Sequence, residues 1–225
     1  MTDTITAVRA PLSIPLDDVM VDLETLGTRA GCVVVSIGAV KFSPTTGFVD
    51  VDNAFYEVVD IEYSMRAGLV AEADTLKWWM KQSDEARAVF SSPDAVSLPA
   101  ALVRFAEWVS DEGDYGDVKM WGNGAGFDNP ILSAAFAVGG IKQPWYHWND
   151  RCYRTKIVDY KHLPFVREGV HHNAKDDALS QAKHLCKIFA EERRVRQLSK
   201  IAAHGCSASE GKLPPPVEYV KATKE

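Results

Sequence analysis

Val19-Met20-Val21-Asp22-Leu23-Glu24 is the first apolar run of the chain, and its reading decides the fold. In an extended strand alternate side chains share a face, so Asp22 and Glu24 point one way while Val21 and Leu23 point the other. Thr25 to Gly31 holds Gly27 and Gly31 and reads as a turn. Cys32 to Phe42 is β-branched and apolar, which predicts a second, long strand. Pro44-Thr45-Thr46-Gly47 is a turn signal, and a third strand is expected from Ala54 to Val59. Connections this short join antiparallel strands, because parallel pairing needs a longer crossover.

Beyond this meander the hydrophobic period changes. Asp74 is a candidate N-cap, followed at helical spacing by Leu76, Trp79 and Met80. Ser83 starts a short helix, and Ser97 opens another with Leu98, Leu102, Phe105 and Val109 on one stripe. Asp117 to Trp121 reads as a short strand, Gly122 to Gly126 as a loop, and Asn129 to Val138 as a helix. Among the prolines and aromatics that follow, Arg151 to Tyr160 is expected to be helical. Asn173 caps a last long helix running through Leu179, Ala182, Leu185, Ile188 and Phe189. Antiparallel strands followed by strands alternating with helices predict an α/β fold, a mixed sheet flanked by α-helices. Residues 1–16 are expected to be a flexible leader, 17–195 the folded domain and 196–225 a polar tail containing Pro214-Pro215-Pro216.

The bulk composition agrees. The 225 residues suffice for one domain with a full core, and 46% apolar with 25% charged residues is ordinary for a soluble protein. The net charge of −6 argues against a sequence-independent nucleic-acid coat but not against a nuclease, whose own metal-binding acids are negative. Cys32, Cys152, Cys186 and Cys206 are scattered with no metal-like spacing, so free thiols in a reducing cytoplasm are expected. Met1 to Pro15 has no long apolar run, so neither a signal peptide nor a membrane span is expected there.

The chemistry lies in three separated segments, Asp22-Leu23-Glu24, Phe127-Asp128-Asn129 and His172-Asn173-Ala174-Lys175-Asp176-Asp177. Each acid sits at the edge of an apolar or glycine-rich segment, where a fold turns side chains into one cleft. Carboxylates gathered there repel one another unless hard divalent cations lie between them, which points to a metal-dependent phosphodiesterase. Each segment also has a plainer reading. Asp22 and Glu24 are harmless if the strand end reaches solvent, and Asp128 could simply cap a helix whose early turn contains Pro130. Gly122, Gly124 and Gly126 suggest dinucleotide binding, but G-x-G-x-G is not the G-x-G-x-x-G fingerprint and does not lie in an opening βαβ unit. Asp176 and Asp177 suit a helix N-terminus through its dipole, and helix geometry leaves open which of them faces a cleft.

In combination and in this order, the segments resemble the DnaQ-like 3′–5′ exonucleases of the DEDDh type, within the ribonuclease H-like superfamily. The family pattern of Asp-x-Glu, then Asp, then His-x4-Asp falls on Asp22, Glu24, Asp128, His172 and Asp177, and this spacing selects Asp177 over Asp176. The likeness is to phage and bacterial members of the DexA, exonuclease VIII-like and Rv2179c-like groups. It is carried also by Thr25-Leu26-Gly27, Trp78-Trp79-Met80-Lys81-Gln82, Trp121-Gly122-Asn123-Gly124, Arg154-Thr155 and His171-His172-Asn173-Ala174. The loop after Glu24 departs from better-known relatives in lacking Thr-Thr-Gly.

The resemblance implies hydrolysis of the 3′-terminal phosphodiester of nucleic acid, with DNA favoured over RNA, to nucleoside 5′-monophosphates. Asp22, Glu24, Asp128 and Asp177 would hold two Mg²⁺ or Mn²⁺ ions, and His172 would take the proton from the attacking water. Thr25, Leu26 and Phe127 are expected to touch the terminal nucleotide, and one of Trp78 and Trp79 to stack on a base. Arg151, Arg154, Lys156 and Lys175 are weaker candidates for phosphate contacts. The competing readings are an exoribonuclease with the same site and a catalytically silent nucleic-acid-binding module; the complete set of five residues argues against the silent one.

Overall fold

The computed structural model describes residues 16–110 and 117–203. All but the last residue of the expected leader, and the tail from residue 204, lie outside the described residues. Five strands form one sheet: β1 (Asp18–Thr25), β2 (Val34–Phe42), β3 (Phe55–Val58), β4 (Lys119–Gly122) and β5 (Asp150–Cys152), in the order β3-β2-β1-β4-β5. The meander β1-β2-β3 is antiparallel, while β4 and β5 add in parallel beside β1. This is the mixed sheet that the short early connections and the later helical crossovers predict.

The alternation along β1 divides the core. Val19, Val21 and Leu23 face one layer with Leu102 and Phe105 of α4 (Leu98–Val109) and with Ile131, Leu132 and Phe136 of α5 (Asp128–Gly139). Met20 faces the other, with Trp121 of β4, Tyr153 of the short α6 (Tyr153–Lys156), and Ala178, Ala182 and Leu185 of α7 (Ala174–Ala203). Asp22 and Glu24 share the face of Met20, so they point toward the side on which α7 begins.

Two glycines set how closely the helices approach. Gly38 pairs with Asp22 across β1 and β2, and a Cβ there would come within 2.1 Å of the backbone between Ala174 and Lys175. Only a bare backbone lets α7 start directly on the sheet beside Asp22. Gly122 ends β4, and a Cβ there would lie 2.8 Å from that of Asp128, so α5 can begin immediately above the strand end.

Elsewhere the structure shifts the expected elements. The helix expected to be capped by Asp74 is α2 (Ala73–Trp79), preceded by Glu72 in an extended conformation; Asp74 lies in its first turn and pairs with Lys77 at 3.3 Å. A helix not foreseen, α1 (Ile61–Arg66), is capped by Asp60, whose carboxylate accepts the Tyr63 N–H at 3.1 Å. Ser83 does cap α3 (Asp84–Arg87). Arg151 to Tyr160 is not one helix: β5 takes its start and α6 follows, the Cys152 sulfur accepting the Thr155 N–H, before a 3-10 turn at Ile157–Tyr160. The expected polar tail begins inside α7, which continues to Ala203. The chain divides into compact units at Glu191/Glu192, and in the second of these the described residues are the last turns of α7. No helix among the described residues is long and apolar enough to cross a membrane, and no disulfide joins the described cysteines, Cys32, Cys152 and Cys186.

Candidate active site

The three sequence segments meet in one cleft of about 690 Å³, lined by Asp22, Glu24, Asp128, His172 and Asp177 together with Thr25, Trp78, Trp79 and Phe127. Asp22 and Glu24 come from the end of β1, where the pairing with β2 shifts register between Glu24 and Thr25. Asp128 is the first residue of α5, so it does not cap that helix; its carboxylate accepts the backbone N–H of Leu23 at 3.1 Å and of Asn123 at 2.6 Å. Those bonds tie the head of α5 to the strand that carries the other two acids.

At the head of α7, Asn173 is the cap, its side-chain oxygen accepting from Lys175 N at 3.1 Å and Asp176 N at 3.2 Å. The helix then separates the two aspartates. Asp176 turns back to accept the Val170 N–H at 2.7 Å, whereas Asp177 is 6% exposed and faces the cleft. Of the two aspartates between which helix geometry alone left the choice open, Asp177 is the one that lines the cleft. One oxygen of Asp177 accepts the His172 N–H at 3.2 Å, and the other accepts from the Arg167 guanidinium. His172 has a left-handed backbone, φ 62°, which among non-glycine residues is uncommon and sets its ring toward the cleft wall. Its ring meets Trp78 edge-on at 4.8 Å and Trp79 at 6.1 Å, and stacks on His171 at 3.7 Å.

The acids are in electrostatic conflict. Burial, then the charges of Asp128 and Glu24, hold the Asp22 carboxyl well above its ordinary range. Burial and Asp128 raise Glu24 to about 8, with Arg167 opposing the shift. Burial raises Asp128 to about 6 in spite of its two backbone N–H donors. His172 moves the other way, down to about 4, through burial and the neighbouring His171 and Arg167. Its imidazole is therefore neutral, and able to accept a proton, across the physiological range.

The tryptophan pair divides its work. Trp79 is 3% exposed, donates its indole N–H to the Thr25 carbonyl at 2.8 Å and pins α2 to the end of β1. Trp78 is 42% exposed at the cleft wall. Leu26 is a correction: it does not line the cleft, because its backbone pairs with Val33 and Glu72 and turns its side chain, 3% exposed, into the core. Of the weaker basic candidates only Arg154 lines this cleft; Arg151 and Lys156 line a separate hollow, and Lys175 approaches the Tyr56 ring. Residues missed in the sequence also appear here. Gln181 donates to Asp22 at 2.7 Å, and its position four residues after Asp177 on one helical face was a usable signal. Arg167 lies in an aperiodic stretch that offered none.

The sequence profile of the family described as "3′–5′ exoribonuclease Rv2179c-like domain" matches residues 17–189. The exodeoxyribonuclease of Enterobacteria phage T4 is 25% identical over 159 residues, covering 62% of this chain and 70% of that protein. Among solved structures, the nuclease domain of 3′hExo, a DEDDh family member bound to rAMP, superposes with a TM-score of 0.52 at 10% identity over 77% of this chain and 92% of that one. A full-length 3′-exonuclease superposes with a TM-score of 0.53 at 10% identity over 78% of this chain and 82% of that one. At these identities the structural likenesses show the fold, which is the ribonuclease H-like one expected.

Proposed function

The chain belongs to the family of Rv2179c-like 3′–5′ exoribonuclease domains and is a 3′–5′ exonuclease of the DEDDh type; from that premise we propose that it removes nucleoside 5′-monophosphates from the 3′ end of DNA through Asp22, Glu24, Asp128, His172 and Asp177. The observation that carries this reading is the convergence of four carboxylates from β1, α5 and α7 in one cleft, with Asp22 and Glu24 raised by burial and by neighbouring acids and Asp128 raised by burial.

The donor set fits divalent cations. It is rich in carboxylate oxygen, as Mg²⁺ and Mn²⁺ prefer. Beside Asp22, the buried Gln181 carbonyl oxygen has no hydrogen-bond partner among the described residues. Asp22, Glu24, Asp128 and Asp177 would hold two such ions, which when bound offset the charge on the phosphodiester and acidify the attacking water. His172 accepts the proton from that water, and its depressed proton affinity keeps it neutral beforehand. Asp177 fixes the histidine through the His172 N–H. Trp78 presents an exposed ring on which the terminal base stacks. Thr25 and Phe127 line the cleft where the terminal nucleotide would lie.

The T4 relative supports DNA as substrate. The family description supports a second reading, RNA, with the same residues. A second reading of His172 also has an observation behind it: one ligand atom each from Glu24, His172 and Asp177 lies within 4.8 Å of the others, a set able to take a cation itself. The deciding experiment presents matched 5′-labelled DNA and RNA oligonucleotides with Mg²⁺, Mn²⁺ or EDTA. Stepwise metal-dependent shortening, faster on DNA, is expected. Faster shortening of RNA exchanges the substrate order, and no shortening of either sinks the assignment.

A further inference from the structure

Among the described residues Arg167 is the cation that pairs directly with a cleft acid, Asp177, and the function above gives it no role. Its guanidinium donates to the Asp177 oxygen that faces away from the His172 N–H, so Asp177 has both oxygens occupied by protein donors. Asp22 has only Gln181, and no donor to the Glu24 carboxylate is found among the described residues. The charge of Arg167 nevertheless reaches both, opposing the upward shifts of Asp22 and Glu24.

The mounting of Arg167 separates a fixed backbone from a movable end. Directly after it the chain is stapled to the first turns of α7. Glu168 N–H donates to the Ser180 hydroxyl at 3.0 Å, the Glu168 carboxylate pairs with Lys183, and the Val170 N–H donates to Asp176. Before it, the Phe165 ring lies 5.5 Å from the guanidinium and packs edge-on against His184 at 5.7 Å. The side chain itself is 39% exposed and lines the cleft. A long side chain on a pinned backbone changes partner by rotamer alone.

A divalent cation at Asp177 and a guanidinium on the same carboxylate repel each other, and the divalent charge is the stronger at equal distance. Once displaced, the planar fork remains at the mouth of a cleft built for a phosphodiester, which it matches with two parallel N–H donors. Resting on the two-metal reading, we propose that Arg167 is the built-in counter-cation of the metal-free site, displaced from Asp177 when metal binds and then used to hold a substrate phosphate. It is a substrate-positioning residue that competes with metal in one state and cooperates with it in the other.

The test measures metal binding separately from catalysis. Calorimetric titration of the full chain with Mn²⁺, without nucleic acid, compares wild type with R167A and R167K. R167A is expected to bind metal about two- to fivefold more tightly, the scale on which a partly exposed ion pair contributes, and R167K to lie nearer wild type. With Ca²⁺ in place of Mn²⁺, the Kd of R167A for a 3′-phosphorothioate oligonucleotide is expected to rise about tenfold from the loss of a bidentate contact. Unchanged or weaker Mn²⁺ binding by R167A overturns the counter-cation role, because Arg167 would then be inert or a support for Asp177. Unchanged oligonucleotide Kd overturns the phosphate role. Failure of the wild-type chain to bind any metal overturns this proposal and the two-metal reading together. R167Q, which keeps much of the length and hydrogen bonding without the charge, replaces R167A should that variant not fold.

Discussion

The two halves of the candidate site are built differently. Asp22, Glu24 and Asp128 stand on β1, a strand paired on both sides, and on a helix head bonded to it; Gly38 and Gly122 remove the side chains that would hold α7 and α5 away. His172 and Arg167 stand on the irregular stretch before α7, placed by single polar bonds, one left-handed residue and edge-on tryptophans. In the first half, buried acids are held together with only partial compensation from Arg167 and Arg154, so stability is given up to hold them. In the second, groups keep ordinary contacts and can be repositioned at small cost. A fixed cage suits cations, and an adjustable rim suits a proton acceptor and a substrate of varying sequence.

The largest effects are expected on the sheet side. D22N and E24Q are expected to abolish nuclease activity, losing more than the roughly 10²–10⁴-fold that removing a general base costs, while raising the thermal midpoint of the metal-free chain through relief of repulsion. Melting curves in EDTA beside activity in Mn²⁺ read both effects, and a fall in midpoint would contradict the picture of a strained cage. On the rim, loss of His172 is expected to lower turnover by about 10²–10⁴-fold with metal affinity kept. H172N is the better variant, because asparagine accepts the left-handed backbone that His172 adopts at φ 62°. If H172N loses metal binding as well, the histidine is a ligand and not the base.

The same contrast has a pH signature. Folded Glu24 keeps its proton to about pH 8, whereas the unfolded side chain releases it near the ordinary value of 4.5. Between those values the native state binds more protons than the unfolded one, so the stability of the metal-free chain falls as pH rises. Asp128 adds the same sign between 3.8 and about 6. His172 opposes them: depressed to about 4 from 6.5, it lowers native stability as pH drops through that interval. Denaturant midpoints in EDTA at pH 5 and pH 8 should therefore fall from the first to the second in wild type, and by clearly less in E24Q. Equal slopes in the two proteins would remove Glu24 as a source.

The sheet side was also the legible side. Alternation in Val19 to Glu24 gave the strand, the shared face of its acids and the opposed apolar face, and the short turns gave the antiparallel meander. Period-2 and period-3.6 patterns survive in a single sequence because burial imposes them. The rim was hard to read for the complementary reason. Residues 161–173 have no repeating backbone, so neither Arg167 nor the left-handed turn at His172 left a periodic trace. Leu26 was misplaced because it follows a cleft residue in sequence while its backbone bonds turn it inward. Asp74 looked like a cap because residue type alone does not show where the extended backbone ends, which is at Glu72.

Two changes on α7 are expected to have smaller effects. Gln181 touches Asp22 at 2.7 Å and belongs to the cage as its support, so Q181A is expected to lower metal affinity by about 10- to 100-fold, as loss of a group that orients a ligand does. Asp176, beside Asp177 in sequence, belongs to neither half: its carboxylate accepts the Val170 N–H and faces away from the cleft. D176N should cost about 1 kcal/mol of stability from a weakened hydrogen bond and leave turnover within about twofold, since it touches no group in the cleft. D177N, one residue further on, should by contrast inactivate. Steady-state rates and urea midpoints for the two variants decide the matter. If D176N loses activity comparably to D177N, the irregular segment that Asp176 anchors is part of the rigid cage, and the division between fixed and adjustable halves fails there.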